Sequence, residues 1–503
     1  MSFEAAMAAA SSRPDDPESL EELARVAQNE GEEDRVLPIL ERALEKNQSA
    51  RLWQWKGLLE RSIDEHERAL ASFAQATRLD PTDDGIAHGF ARVAMEAGVD
   101  ARPLYERART LAPRNGALVV GLAAARAAAG EGEQAASELD AAVKSSPMWL
   151  EGHLQLGQLL ATLGRPDEAT ASLERALAQA PAARRLWEEL LHVQLRKRAY
   201  PGLKATVERA EAAGVRSPEF GIYRAIHAAE YDDETFPAAL FAKAPPGTDA
   251  ALANWRIRHL LRRGAAEAAL PYVDRALQGT TSAEGWAYAS TVWRLAGDPR
   301  WEWLDGEPRL VSVIDLTSSL PPLDVLASTL RSLHVAKGEY LDQSVRGGTQ
   351  TDGPLFSRID PVIRHLRRAV SEAVEGHIAQ LPPKDPRHPV LRHRRDRRVR
   401  FSGSWSVRLR SGGHHANHVH PQGWLSSALY VSLPSPAPAD SANAGWLALG
   451  QPDDSLGLDL QPSRHVEPKT GQLVLFPSNM WHGTVPFADG ERLTVAFDVA
   501  PPL

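Results

Sequence analysis

Three histidines near the C-terminal end of this 503-residue chain have the spacing of a metal site. His418 and His420 are separated by one residue, so on an extended strand their side chains project to the same face. His482 follows after a long gap, as expected for a ligand on a later strand. Neutral imidazoles bind first-row transition metals, and three of them leave coordination positions open. The pattern therefore predicts a catalytic metal centre with these three histidines as ligands.

An arginine and a threonine follow the third histidine on a predicted strand. Arg492 lies ten residues after His482, and Thr494 shares its face because side chains alternate with a period of two. A guanidinium group forms a bidentate salt bridge with a carboxylate. We therefore expect Arg492 to hold the carboxylate of a co-substrate that chelates the metal at its other end, with the Thr494 hydroxyl as a helper.

Three stretches after residue 403 alternate apolar and polar residues, which is typical of half-buried strands. They cover residues 404–410, 425–433 and 492–499. Their polar faces either meet solvent or line a lumen. Because they share a region with the histidines, we expect them to line a ligand-binding lumen, with the apolar faces, including that of Trp405, packed beneath helices. Further cofactor-binding candidates on these polar faces are Arg408, Ser426 and Tyr430.

Two helical patterns precede these strands, from Asp324 to Lys337 and from Pro361 to Leu381. The polar segment Gln343 to Thr351 between them has two adjacent glycines and is either a flexible lid or an ordinary turn.

The segment from Arg392 to Arg400 carries six arginines in nine positions. It is either a solvated loop or a site for an acidic polypeptide, whereas the lack of interleaved aromatic residues argues against nucleic acid.

Residues before about 300 are rich in Ala, Leu, Glu and Arg, and they repeat at a spacing of 34 residues. Prolines 81, 113, 147 and 181 punctuate the repeats, and small and large side chains recur at matching offsets between them. Residues 17–300 resemble tetratricopeptide repeats, with seven to nine units of which the later ones are degenerate. The resemblance implies an all-α superhelix whose concave surface holds a peptide or protein partner. The alternatives are a purely structural array and a dimerisation surface.

Composition sets further limits on the function. The length predicts two or more domains, and the net charge of -8 argues against a general attraction to nucleic acid or anionic membranes. The absence of cysteine excludes disulfides, Cys-zinc sites and iron–sulfur clusters. We see no secretory signal and no run of about 20 apolar residues, so we expect a cytoplasmic protein.

Several motifs of the C-terminal region occur in the order known from one enzyme family. They are His418-Val-His420-Pro421, Leu425-Ser-Ser-Ala-Leu-Tyr430, Gly471-Gln-Leu-Val-Leu-Phe-Pro477, Trp481-His482 and Arg492-Leu-Thr494. Residues 310–503 resemble the 2-oxoglutarate/Fe(II)-dependent oxygenases, in particular a bacterial group with a His-x-His-Pro motif. The resemblance implies a double-stranded β-helix (jelly-roll) fold, Fe(II) as cofactor, and 2-oxoglutarate as a co-substrate whose C5 carboxylate binds Arg492. The expected fold class is α+β multidomain, with residues 301–309 as a linker or docking segment.

The sequence departs from this family at His420, where the family has an Asp or Glu ligand. Either the site is a three-histidine centre, or His420 is not a ligand and water fills its place. A repeat array joined to such a domain resembles the aspartyl/asparaginyl β-hydroxylases, which implies hydroxylation of a peptide or protein. The alternatives are a cupin-like metalloenzyme that does not use 2-oxoglutarate and a non-catalytic repeat protein that binds partners. The oligomeric state stays open.

Overall fold

The computed structural model describes residues 1–231, 249–277, 282–341 and 343–502. Consecutive helices form the N-terminal region, and neighbours in sequence pack against each other. The helices of this region are Phe3–Ser12, Pro17–Glu30, Glu33–Lys46, Ala50–Ser62, His66–Leu79, Asp84–Glu96, Arg102–Leu111, Gly116–Ala128, Gly132–Ser145, Leu150–Thr162, Ala171–Gln179, Arg184–Arg196, Tyr200–Ala212, Phe220–Tyr231, Asp249–Arg262, Ala266–Ala276, Ser282–Leu295 and Arg300–Asp305.

Small residues let the paired helices approach closely. A Cβ atom added at Gly57 would lie 2.8 Å from the ring of Phe73, which is fully buried on the next helix. The first helix, Phe3–Ser12, precedes the expected start of the array, and Arg300–Asp305 begins at the last residue of the expected array and continues into the segment expected to be a linker. No helix in the described ranges is both long enough and apolar enough to span a membrane.

The C-terminal region is rich in strands, so the predicted α+β organisation is confirmed. The strands are β1 Ser312–Asp315, β2 Val345–Gln350, β3 Phe401–His415, β4 Leu425–Ser432, β5 Leu447–Leu449, β6 Arg464–Val466, β7 Gln472–Pro477, β8 His482–Thr484 and β9 Arg492–Val499. They form two antiparallel sheets, one of six strands in the order β1-β7-β4-β9-β3-β2 and one of three in the order β6-β5-β8. The double-stranded β-helix stays a prediction.

Two helices cover one face of the large sheet, and their bounds are Leu323–Ser332 and Pro361–Gln380. The longer one begins with a proline at its first position, and the Asp360 carboxylate accepts hydrogen bonds from the first backbone N–H groups, as in an N-cap. The core between these helices and the sheet includes the apolar faces of β4 and β9, as predicted. Its members include Ile363, Leu366, Val370, Leu425, Leu429, Leu493, Val495 and Phe497.

The predicted orientation of β3 is wrong. Ser404 pairs with Phe497 and Ser406 with Val495, so the serine face points toward the covering helices and the Trp405 face points to the opposite side. The serine hydroxyls have partners there: Ser404 Oγ accepts from the Phe356 backbone N–H at 2.9 Å, and Ser406 Oγ lies 3.1 Å from a histidine nitrogen. The alternation of residue types predicts that β3 has two different faces, but it does not predict which face packs toward the covering helices. The hydrogen-bond partners of the two serines favour the serine face.

The segment predicted to be a lid or a turn is neither. Most of it forms β2, the edge strand that pairs with β3. The register shifts between Arg346 and Gly348, and Gly347 adopts a φ of 67° at this bulge. An added Cβ at Gly348 would lie 2.6 Å from a β3 carbonyl oxygen, so the glycine pair allows close strand approach.

The repeat region contacts the C-terminal region along much of its length. At its start, three arginines of the basic segment pair with acidic residues of the first repeats: Arg397 with Glu32, Arg398 with Asp34 and Arg400 with Glu33. In the middle, the Thr162 carbonyl accepts hydrogen bonds from the N–H groups of Lys337 and Gly338. Near its end, Arg258 donates to Ser455 at 2.6 Å. The basic segment therefore has an acidic partner within the same chain.

Candidate metal centre and cavity

The structure brings His418, His420 and His482 together. One ring nitrogen of each lies within 4.8 Å of the others, and the Nε2 atoms of His418 and His420 are 3.0 Å apart. Reciprocal backbone hydrogen bonds of 2.9 and 3.0 Å join His418 to His482, the first residue of β8. This bridge places the two segments side by side, although 64 positions separate them in the chain.

The opposite ring nitrogen of each histidine faces an acceptor. Nδ1 of His418 lies 2.8 Å from the Ala416 carbonyl oxygen, and Nδ1 of His482 lies 3.0 Å from that of Met480. Nδ1 of His420 lies 2.7 Å from a carboxylate oxygen of Asp498. These acceptors place the ring proton on Nδ1 and leave the Nε2 atoms unprotonated, the arrangement usual for metal-bound imidazoles. The residues therefore fit a metal ion held by three histidines.

Asp498 has a defined place in the site, which the sequence reasoning did not assign to it. It lies on β9 and accepts a hydrogen bond from Ser426 Oγ at 2.6 Å as well as facing His420. Ser426, predicted to bind a cofactor, therefore contacts the carboxylate behind the histidine. The sequence pattern could have identified Asp498, because it lies an even number of residues from Arg492 and Thr494 and so shares their polar face of β9.

Burial keeps the imidazoles of His418 and His482 uncharged. Burial, followed by the neighbouring imidazoles of His482 and His420, holds the pKa of His418 well below its usual range. Burial and the adjacent His420 lower the pKa of His482 in the same way. Because a metal binds the neutral imidazole, these groups are ready to coordinate at neutral pH without first losing a proton.

The histidines open onto a cavity between the two sheets. Arg492, 2 % exposed, lines this cavity together with Thr494. The guanidinium lies 5.1 Å from the ring centroid of Tyr430, and its Nε atom has no hydrogen-bond partner among the described residues. Burial lowers the pKa of Arg492. A buried cation with an unpaired N–H group fits an anionic ligand such as a carboxylate.

The structure does not bring Arg408 to the cavity. Its side chain forms an ion pair of 2.5 Å with Glu491, because β3 turns its polar face away from the cavity. Trp405 lies there instead, with its ring stacked on His420 at 5.6 Å between centroids. Expected to pack beneath the helices, this tryptophan forms part of the cavity wall.

A serine and a fourth histidine complete the wall beside the metal centre. Ser344 Oγ lies 3.1 Å from both His415 Nδ1 and His418 Nε2. Burial, followed by the charge of Arg492, lowers the pKa of His415 to about 3, so this imidazole is neutral. Both residues line the cavity, and nothing in their spacing identified them.

The repeat region helps to fix the segments that carry the histidines. The indole N–H of Trp481, the residue before His482, donates to the Ala287 carbonyl and to Thr291 Oγ1, both at 3.0 Å. Asn417, the residue before His418, donates to Asp454 at 3.3 Å. The histidine geometry therefore depends on contacts with both regions of the chain.

Comparison with known proteins agrees with this organisation. Residues 403–498 match the model of the family described as "Putative 2OG-Fe(II) oxygenase", and residues 50–83 and 150–193 match tetratricopeptide repeat models. No curated protein matches the chain. Parts of the chain before residue 200 are thus similar to tetratricopeptide repeats, and a C-terminal part is similar to the 2OG-Fe(II) oxygenase family.

Three solved structures are similar to parts of the chain. YrrB, a TPR protein with an unusual peptide-binding site, is 19% identical with a TM-score of 0.29 over 38% of this chain and 99% of its own. TTC0263, a thermophilic TPR protein of Thermus thermophilus, is 22% identical with a TM-score of 0.26 over 34% and 96%. A Pseudomonas putida prolyl-4-hydroxylase is 18% identical with a TM-score of 0.25 over 38% and 92%.

Proposed function

We propose that this protein is an Fe(II)- and 2-oxoglutarate-dependent dioxygenase that hydroxylates a peptide or protein. The observation that carries the proposal is the convergence of three imidazole nitrogens on a cavity that also contains a buried guanidinium. A metal site alone suits many reactions. The unpaired N–H of Arg492 adds a place for a carboxylate in the same cavity, which a co-substrate with two carboxylates would use.

In this proposal, His418, His420 and His482 hold the iron through their Nε2 atoms. Bound Fe(II), together with 2-oxoglutarate, supplies the activation of O2 needed to hydroxylate an unactivated carbon. The acceptors on the Nδ1 atoms keep each ring in one tautomer and one orientation. Of the three acceptors that face the Nδ1 atoms, only that of Asp498 is a carboxylate. The site therefore has a carboxylate next to the histidine ligands, although no carboxylate is a direct ligand in this proposal.

The other cavity residues bind and orient the co-substrate. Arg492 is proposed to hold its distal carboxylate, and the Thr494 hydroxyl is proposed to add a hydrogen bond from the same face of β9. Leu447 and Phe476 give the cavity apolar walls. An ion pair formed there is stronger than in water, because the surrounding side chains exclude solvent and lower the local dielectric constant. Removal of the guanidinium would leave a buried carboxylate without a partner.

The test is anaerobic addition of 2-oxoglutarate to the Fe(II)-loaded protein. We expect a visible metal-to-ligand charge-transfer band, and consumption of 2-oxoglutarate once O2 is admitted. In Arg492→Lys the half-saturating 2-oxoglutarate concentration should rise about 30-fold or more, because a single ammonium group cannot replace the bidentate guanidinium. Arg410→Lys is the matched control, since Arg410 is exposed on a neighbouring strand.

The outcomes separate the alternatives. Iron binding without a band in the folded protein would refute the use of 2-oxoglutarate and favour a cupin-like metalloenzyme. Failure to bind Fe(II) at all would leave a repeat protein that only binds partners. Equal 2-oxoglutarate dependence of Arg492→Lys and the wild type would remove Arg492 from the proposed site.

A further inference from the structure

A second cavity lies between the repeat region and the C-terminal region, next to the metal centre. Its walls come from residues 161–166 and 196–198 of the repeats and from residues 338–346 before and within β2. We call it the interdomain cleft. Gln343 lines both the cleft and the metal cavity. A molecule in the cleft therefore lies next to the metal cavity, with Gln343 in the wall of both.

The cleft is lined by more positive than negative side chains. Arg196, Lys197 and Arg198 follow one another at the end of a repeat helix, and Arg346 projects from β2, whereas Glu339 is the one acidic residue among the described lining residues. This excess is local, because the whole chain carries a net charge of -8. The cleft therefore differs in charge from the chain as a whole and favours an anionic ligand.

Internal ion pairs neutralise only part of this charge. Arg198 pairs with Asp453 at 3.2 Å, and Arg346 lies 3.7 Å from Glu339. Lys197 has no ion pair among the described residues, and its ammonium group is available to a ligand. Such groups at the rim of a binding site mainly attract and align a partner of opposite charge.

The remaining lining suits a length of polypeptide. Tyr340, Leu341 and Pro166 provide apolar contact area beside the charged groups. The hydrogen bonds from Lys337 N and Gly338 N to the Thr162 carbonyl, 2.9 and 3.0 Å long, join the two walls directly. The cleft is thus formed before a ligand arrives, which lowers the entropic cost of binding an extended segment.

We propose that the interdomain cleft binds an acidic segment of the polypeptide substrate and that a neighbouring residue of that substrate enters the metal cavity past Gln343. The entry of that neighbouring residue into the metal cavity rests on the proposed function, and the acidic segment adds a substrate class to that function. Charge complementarity identifies the occupant, and continuity with the metal cavity explains its position. The repeat region then contributes one wall of the substrate site as well as contacts that position the histidines.

The test is fluorescence anisotropy of the Fe(II)-loaded full chain with a fluorescein-labelled peptide of alternating Glu and Gly. We expect saturable binding that weakens as salt is added, and no binding of the equivalent Lys–Gly peptide. In Lys197→Glu the Kd should rise about tenfold, because an attraction becomes a repulsion. Lys204→Glu, an exposed residue of the next helix that does not line the cleft, should leave the Kd unchanged.

Equal effects of Lys197→Glu and Lys204→Glu would overturn the inference, and so would tighter binding of a labelled oligo-dT strand than of the acidic peptide. The measurement requires no turnover, so it can be separated from the proposed function. Peptide binding in the cleft without a 2-oxoglutarate band would refute the oxygenase proposal and retain the cleft as a binding site. A band without peptide binding would retain the oxygenase and refute the acidic-segment inference.

Discussion

Replacement of Asp498 by asparagine tests whether His420 is a metal ligand. Asp498 is 8 % exposed, and its two carboxylate oxygens face His420 Nδ1 at 2.7 Å and Ser426 Oγ at 2.6 Å. Asp498→Asn keeps the shape but exchanges one oxygen acceptor for an NH2 donor and removes the negative charge. The amide can still accept one hydrogen bond, so the packing should survive while the hold on the imidazole weakens.

The expected magnitude follows from the position of the carboxylate behind a ligand. Substitution of such partners of metal-bound histidines typically weakens metal affinity about 10–100-fold, which corresponds to about 1.4–2.7 kcal/mol. Only one of the three imidazoles in the cluster is held by a charged acceptor, since the other two face backbone carbonyls. We therefore expect the whole loss to arise through His420, and Fe(II) affinity should fall by this factor in Asp498→Asn.

Anaerobic titration calorimetry with Fe(II), and with Mn(II) as a less oxidisable substitute, measures this affinity. Asp489→Asn is the control, because Asp489 accepts from Ser411 at 2.7 Å at an exposed site that does not line the metal cavity. Circular dichroism should show the same folded content for both variants and the wild type. Unchanged metal affinity in Asp498→Asn would refute the reasoning and favour a site in which water takes the place of His420.

Two further predictions concern stability. Burial lowers the pKa of His377, which is 2 % exposed, to about 4. The unfolded chain binds this proton more tightly, so stability should fall as pH drops from about 6.5 toward 4, by about 2 kcal/mol at pH 5. Urea unfolding at pH 8 and pH 5 measures this loss of unfolding free energy, which should be smaller in His377→Gln than in the wild type. The control is His365→Gln, on the exposed side of the same helix, which should lose as much as the wild type. Equal losses in the two variants would contradict the prediction. Arg400→Met should destabilise the protein by about 3–5 kcal/mol, because it leaves the carboxylate of Glu33, 0 % exposed, without its cation. In the same urea assay Arg398→Met, which breaks an exposed pair, should have little effect, and similar losses in both variants would refute the distinction.

The local patterns of the sequence were sufficient for much of the architecture. The 34-residue repeat predicted paired helices, and alternation in β4 and β9 predicted which side chains pack beneath the covering helices. The same alternation placed Arg492 and Thr494 on one face, where both line the cavity. These inferences succeeded because helix and strand periodicity are properties of the backbone and act over a few residues.

The orientation of β3 and the form of the β2 segment did not follow from those patterns. Both faces of β3 carry residues that can be buried. Ser404 and Ser406 point toward the covering helices because other segments provide hydrogen-bond partners for their hydroxyl groups on that side. β2 is polar and contains two glycines, so its sequence resembles a loop. It is a strand because β3 supplies a pairing edge, which is a property of the assembled sheet.

The sequence by itself determined which residue types are available for chemistry: three histidines, an arginine and a threonine with the right spacing. Only the tertiary structure decided how they are supported. It placed Asp498 behind His420, paired Arg400 with Glu33 across 367 positions of the chain, and formed the interdomain cleft from segments far apart in sequence. Spacing along the chain constrains neighbours within one element, whereas contacts between distant elements depend on how the whole chain packs.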